Sequence, residues 1–250
     1  MRAIIPVAGV GTRLRPHTYT LPKVLLNVAG KPILGHILDE LIRQGVDKAT
    51  IVTGYMGKLV QKFVNDRYDI DFTFVSQKES LGLGHAIWTA RETFGDEPIM
   101  IILGDTIFDV DLSDALKSGF SSLGVKKVDD PRRFGVVESG ADGFIKNLVE
   151  KPQNFVSNMA IVGLYYIKNP AMLRQSLEEL INKDIRTKSE YQLTDALRLM
   201  LEKGEKFTTF HCEGWYDCGK PETLLSTNRF LLEKKQIECF PDKTVMIPPV

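Results

Sequence analysis

Apolar runs of strand length alternate with amphipathic helical stretches through residues 3–103, and this alternation restricts the fold more than any other feature of the chain. Residues 3–7 read as a buried strand, and Leu34, Ile37, Leu38 and Leu41 then recur at helical spacing until Gly45 offers a stop. The pattern predicts strands at 50–53 and 72–76, helices at 56–65 and 84–94, and a continuous apolar strand at 99–103 that suits the centre of a parallel sheet covered on both faces. Strands alternating with helices in this way imply a doubly wound α/β sheet, in which ligands collect beyond the carboxyl ends of the strands. The middle of the chain differs. Strand-like segments at 135–138, 144–149 and 160–167 are separated by turns and predict an antiparallel insertion, after which helices return at 170–182, 193–203 and 221–235.

The first predicted strand runs into Pro6-Val7-Ala8-Gly9-Val10-Gly11-Thr12-Arg13-Leu14-Arg15-Pro16, followed by Pro22-Lys23. Glycines let backbone approach an anion, turned N–H groups supply donors, and Arg13, Arg15 and Lys23 add full charge. Such a loop suits phosphate, although a plain strand-to-helix turn with surface cations has the same composition. Gly9 and Gly11 begin a dinucleotide fingerprint, but Leu14 stands where its third glycine belongs, and no G-K-[ST] follows for a Walker loop.

Further candidates stand at predicted strand ends. Asp105 follows 99–103 and a glycine, and Asp217 lies within Gly214-Trp215-Tyr216-Asp217-Cys218-Gly219. Two aspartates with phosphate oxygens suit Mg²⁺, whereas either aspartate alone is equally a turn or cap residue. Glu150-Lys151-Pro152 ends the segment 144–149, where the acid suits a sugar hydroxyl and the lysine a phosphate, or the two form a surface ion pair. Gln77, ahead of Gly82-Leu83-Gly84-His85, has an amide that can read a base edge.

Lys plus Arg and Asp plus Glu are each 32 in 250 residues, so the charge balance gives no footprint for nucleic acid or membrane. Cys212, Cys218 and Cys239 are too few and too widely spaced for a disulfide framework, which favours a reducing, cytoplasmic setting. The apolar N-terminus runs into a cationic loop instead of a cleavage site, and no apolar run approaches the ~20 residues that span a bilayer.

Together these segments resemble the sugar-nucleotide pyrophosphorylases, nucleotidyltransferases that include glucose-1-phosphate thymidylyltransferases and UTP-glucose-1-phosphate uridylyltransferases. The resemblance runs in order through the loop at 9–23, Lys31-Pro32, Gln77 with Gly82-Leu83-Gly84-His85-Ala86, Leu103-Gly104-Asp105, Phe134-Gly135-Val136-Val137, Val149-Glu150-Lys151-Pro152, Gln192-Leu193-Thr194-Asp195-Ala196 and Trp215-Tyr216-Asp217-Cys218-Gly219. It implies a nucleotide-diphospho-sugar transferase-like fold, a mostly parallel mixed sheet flanked by helices, with the antiparallel insertion holding sugar. It further implies that Ala8, Gly9, Gly11, Thr12 and Arg13 line a triphosphate with Lys23 neutralising it, and that Gln77 and Gly82 contact a pyrimidine. Asp105 and Asp217 would hold Mg²⁺, Gly135 and Glu150 would meet the sugar, and Lys151 its phosphate. Lys188 stands where related thymidylyltransferases carry an arginine near that phosphate, and is implied as a further sugar-phosphate residue.

The implied reaction transfers a nucleoside monophosphate from UTP or dTTP to a hexose-1-phosphate, glucose-1-phosphate first among them, with pyrophosphate released. The catalytic set is Arg13, Lys23, Asp105 and Asp217, with no protein nucleophile and no chemistry for His17, His36, His85 or His211. Pro6-Val7-Ala8-Gly9 is similar to the uridylyltransferase branch and Pro22-Lys23-Val24-Leu25-Leu26 to the thymidylyltransferase branch, which leaves the base open. Other bases and sugars, such as GTP with mannose-1-phosphate or CTP or ATP with glucose-1-phosphate, and a non-catalytic regulatory relative are the alternatives. The resemblance also implies self-association. Residues 1–240 are expected to form the catalytic domain, and Val245-Met246-Ile247-Pro248-Pro249-Val250 resembles the first coil of a left-handed β-helix, truncated or absent beyond it.

Overall fold

The computed structural model describes residues 1–234, so the coil expected within 241–250 lies outside the described residues. In chain order the elements are β1 (Arg2–Pro6), β2 (Asn27–Val28), β3 (Lys31–Pro32), α1 (Ile33–Arg43), β4 (Lys48–Thr53), α2 (Gly57–Asn65), β5 (Asp71–Ser76), α3 (Leu83–Thr89), β6 (Ile99–Ile102), β7 (Thr106–Asp109) and α4 (Ser113–Lys117). They continue as β8 (Ser121–Lys127), β9 (Gly135–Ser139), β10 (Ile145–Glu150), β11 (Met159–Ile167), α5 (Pro170–Asn182), α6 (Leu193–Glu202), β12 (Phe207–His211), β13 (Gly214–Asp217) and α7 (Pro221–Lys234).

A nine-stranded sheet runs β10-β9-β11-β6-β1-β4-β5, with β8 pairing β11 and β12. The strands β6, β1, β4 and β5 are parallel, as the early alternation requires. The antiparallel segment is β9, β10 and β11, and β11 lays it directly against β6, so both parts share one sheet. Burial explains the apolar runs. Ala3 and Ile5 of β1 pack on one face with Leu34, Ile37, Leu38 and Val60, while Ile4 packs on the other with Ile87, Leu177 and Leu197. Met100 and Ile102 of β6 join the first face and Ile99 and Ile101 the second, which is the period-2 alternation of a strand with no solvated side.

Local backbone shifts some expected boundaries. Met56 takes φ 63°, outside the helical region, so α2 opens at Gly57. The stretch expected as one helix over 84–94 is α3 followed by a 3-10 turn at Arg91–Thr93. Two strand pairs are absent from the sequence reading: β8 with β12, and β7 with β13. Among the described residues no helix is long and apolar enough to cross a membrane.

Candidate active site

After β1 the chain builds β4 and β5 on one side of it and then crosses back to form β6 on the other. The strand order therefore reverses between β1 and β6, and a crevice opens beyond their carboxyl ends. A cleft of about 480 Å³ occupies this place. Residues 6–9, 11–13, Lys23, Gln77, Gly82 and 103–105 line it, with Arg133, Gly135, Glu150, Lys151, Tyr165, Thr194 and Gly219.

The glycine loop descends through three 3-10 turns, Thr12–Leu14, His17–Tyr19 and Lys23–Leu25. Gly11 takes φ 68° and its carbonyl accepts a hydrogen bond from the Thr18 hydroxyl at 2.9 Å. Leu14, the residue that breaks the dinucleotide fingerprint, is only 1% exposed and pins the loop to the core. Arg13 lines the cleft, whereas Arg15 lies over the Tyr19 ring, 5.0 Å from its centroid, and is not among the lining residues. Lys23 follows Pro22 into its turn and donates from Nζ to Asp105 Oδ2 at 2.6 Å.

Asp105 follows β6 by three residues, and the Thr106 hydroxyl lies 3.4 Å from its Oδ1. The antiparallel pair β7–β13 sets Asp217 opposite Thr106, and Cys218 N–H donates to the Asp105 carbonyl at 2.9 Å. Asp217 Oδ1 accepts from Gly219 N–H at 2.8 Å, and the Asp217 carbonyl accepts from the Thr227 hydroxyl at 3.1 Å. Asp217 itself is not among the cleft-lining residues, whereas its neighbour Gly219 is. The Cys218 thiol is pushed up to about 12, first by burial and then by the charge of Asp217, so it stays protonated between the two aspartates. Among the described residues no three His, Cys, Asp or Glu side chains gather as a metal cage. Asp105, in the turn before β7, and Asp217, at the end of β13, could each lend carboxylate oxygen to a hard cation that fills its shell with phosphate oxygens and water.

At the other end of the cleft Gln77 is 8% exposed. Its Nε2 lies 3.3 Å from the Gly82 carbonyl and 2.9 Å from His85 Nδ1. Gly82 has φ 110°, and a Cβ there would stand 2.6 Å from the Tyr191 carbonyl. Gly84 N–H donates to that carbonyl at 2.7 Å and Tyr191 N–H donates to Leu81 at 2.9 Å, tying loop 81–84 to the approach of α6.

On the antiparallel side Glu150 stands opposite Gly135 in the β10–β9 register. Its Oε2 accepts from the Thr194 hydroxyl at 2.7 Å, and Lys151 Nζ lies 3.3 Å from its Oε1. Tyr165 lines the cleft and is pushed above the ordinary phenol range by burial and then by the charges of Glu150 and Asp105. Lys188 is exposed in the turn bridged by Thr187 and Glu190 and is not a lining residue, whereas Glu190 is. Thr194, Gln192, Arg133 and Tyr165 line the cleft without a role from sequence reasoning. The signal available for Thr194 was its place in Gln192-Leu193-Thr194-Asp195, at the opening of an amphipathic helix.

This arrangement of a glycine loop, a lysine–aspartate pair and a second acidic wall agrees with the match of residues 2–234 to the nucleotidyl transferase family. The chain belongs to that family. This nucleotidyl transferase is 33% identical over 247 residues to the low-salt glycan biosynthesis nucleotidyltransferase Agl11 of Haloferax volcanii, covering 95% of this chain and 68% of that protein. It is 34% identical to the UTP–glucose-1-phosphate uridylyltransferase AglF of the same organism, over 89% of this chain and 93% of that protein. The bifunctional protein GlmU of Methanococcus maripaludis is 36% identical over 94% of this chain, which spans 55% of GlmU. Among solved structures, apo UDP-glucose pyrophosphorylase superposes with a TM-score of 0.82 at 27% identity, covering 93% of this chain and 98% of that one. The same nucleotidyl transferase superposes on UDP-glucose pyrophosphorylase complexed with UDP-glucose with a TM-score of 0.79, also at 27% identity, over 94% of this chain and 99% of that one.

Proposed function

We propose that the protein transfers a nucleoside monophosphate from UTP or dTTP to a hexose-1-phosphate, glucose-1-phosphate first among them, and releases pyrophosphate. One observation carries this reading: Lys23 and Asp105 meet at the switch point of the sheet, with the glycine loop beside them and Glu150 and Lys151 on the facing wall of the same cleft. The names of the relatives support it, since AglF is named for UTP and glucose-1-phosphate and a solved neighbour is complexed with UDP-glucose.

In this reading a phosphate oxygen of the sugar phosphate attacks the α-phosphorus, and the bond from that phosphorus to the bridging oxygen of pyrophosphate breaks. Both reactants are anions, so the work is to bring repelling groups together and neutralise the charge that spreads in the transition state. Gly9, Gly11 and Thr12 present backbone and hydroxyl to the triphosphate, Arg13 and Lys23 supply positive charge, Gln77 and Gly82 meet the base, and Lys151 holds the sugar phosphate. Bound Mg²⁺, held by Asp105 and Asp217, would neutralise phosphate oxygens further. Glu150, fixed by Thr194, accepts from sugar hydroxyls. Buried free thiols at Cys212 and Cys218 support a reducing, cytoplasmic setting.

The test is pyrophosphate release, crossing UTP, dTTP, CTP, GTP and ATP with several hexose-1-phosphates. Release is expected with UTP or dTTP and glucose-1-phosphate. Silence with every pair would sink the proposal.

A further inference from the structure

We infer that His85 is a positioning residue that locks the Gln77 amide with its oxygen toward the cleft, and so selects bases that carry an imide N–H. The inference rests on the proposed use of a nucleoside triphosphate. The geometry fixes the orientation without reference to any ligand. A backbone carbonyl is only an acceptor, so the amide atom 3.3 Å from Gly82 O is the nitrogen. The same nitrogen lies 2.9 Å from His85 Nδ1, which then accepts the second amide proton, with the ring proton on Nε2. Both Nε2 protons are spent within the protein. Gln77 lines the cleft, and among the described residues Oε1 finds no protein donor, so an acceptor is what this side chain offers there.

His85 is well placed to hold that role. Its ring stacks on Trp88 at 5.6 Å and 28° and on Tyr191 at 6.4 Å and 29°, which fixes the direction of Nδ1. Burial, with the nearby Arg186 charge and against that of Glu79, lowers its pKa and keeps Nδ1 unprotonated near neutral pH. Uracil and thymine carry a donor at N3, which an amide oxygen accepts. Cytosine carries an acceptor at N3, which meets that oxygen with repulsion and would need the flipped amide. Flipping Gln77 sets its oxygen against the Gly82 carbonyl and requires the His85 proton to move from Nε2 to Nδ1, so the wrong base faces an opposed network and a less favoured tautomer.

The experiment compares the kcat/KM ratio of UTP to CTP in the unsubstituted protein, His85→Phe, His85→Asn and His85→Ala, with folding checked by circular dichroism. Phenylalanine keeps an aromatic stack and loses the acceptor, while the Asn amide oxygen can stand near the place of Nδ1. Expected is a ratio that falls by ~10-fold or more in His85→Phe and His85→Ala, one hydrogen bond's worth of discrimination, and that His85→Asn retains. The alanine variant decides should the phenylalanine variant not fold. A ratio unmoved in the folded acceptor-less variants overturns the inference, as does one lost equally in His85→Asn, or an unsubstituted protein that uses both triphosphates alike. No release with any triphosphate is a different pattern, and it removes the function reading together with this one.

Discussion

Lys23 Nζ lies 2.6 Å from Asp105 Oδ2, joining the loop after β1 to the turn after β6 across the point where the strand order reverses. The lysine side chain is 11% exposed and the carboxylate 37%, so the ammonium is the more buried partner and the carboxylate the one open to a ligand. In the proposed transfer each group serves where charge develops on phosphate. Lys23→Ala and Asp105→Asn should each lower turnover by at least ~100-fold, the scale of one strong transition-state contact. Steady-state kinetics with unchanged far-UV spectra check this, and near-normal turnover in either variant removes that residue from its role.

The Thr194 hydroxyl donates to Glu150 Oε2 at 2.7 Å, and Glu150 is 9% exposed at its side chain. Valine keeps the shape and deletes the donor, which frees a nearly buried carboxylate to turn. Thr194→Val should raise KM for the sugar phosphate by roughly 10–100-fold, from the ~1.5–3 kcal/mol of a hydrogen bond to a charged group. KM for the triphosphate should stay within a factor of about 2, since no bond of Thr194 reaches that end of the cleft. A parallel rise in both constants would mean that the threonine supports the whole cleft and not its sugar end.

Lys151 holds φ 44° with its N–H donating to Phe134 O at 2.9 Å, so the backbone of the strand end, and not the flexible stem alone, sets where the ammonium stands. Lys151→Ala should therefore raise KM for the sugar phosphate by ~10–100-fold, one charge-assisted contact. An unchanged KM would move the sugar phosphate elsewhere.

The parallel strands and their helices were legible because β1 and β6 are buried on both faces, which forces an unbroken apolar run, and because α1 buries one stripe at helical spacing. Asp105 and the glycine loop were legible as cleft-lining groups because both follow apolar strands at their carboxyl ends. β7 and β13 were not, since four residues such as Thr106–Asp109 carry too few alternations to register, and their pairing is set by partners more than a hundred residues away. β8 is broken in pattern by Gly124 and covered by β11 and β12, so its burial comes from later chain. Thr194 contacts an acid 44 residues distant, so its place at the opening of an amphipathic helix was legible and its partner was not. His85 has no legible role in the sequence, since its contact with the Gln77 amide forms only when the loop before α3 folds against β5. The resemblance alone points to Lys188, while Glu190 of the same turn is the residue that lines the cleft.

Gly82 has φ 110° and ψ 174°, a region essentially closed to side chains, and its missing Cβ would fall 2.6 Å from the Tyr191 carbonyl. Gly82→Ala must move loop 81–84 off the 190–192 segment to which it is hydrogen-bonded. A loss of ~1–3 kcal/mol in urea unfolding is expected from the backbone strain alone, together with a higher KM for the triphosphate, because the Gly82 carbonyl shares with His85 the hold on the Gln77 amide. Full stability in this variant would show that the loop yields without cost.

His85 is held neutral in the fold, its pKa lowered below 6.5 first by burial. Above that value neither folded nor unfolded chain binds a proton there, and the histidine leaves stability independent of pH. As pH falls through 6.5 the unfolded chain takes up the proton first, so stability drops, and the drop is complete once pH passes below the folded value. Carboxylates elsewhere titrate over part of the same range, so the comparison that isolates the ring is with His85→Asn, which keeps an acceptor and cannot protonate. Unfolding free energies measured from pH 7.5 to 5 should fall more steeply in the unsubstituted protein than in His85→Asn. Parallel curves would mean that the ring accepts its proton as readily in the fold as in the unfolded chain, and that the Gln77 contact does not oppose it.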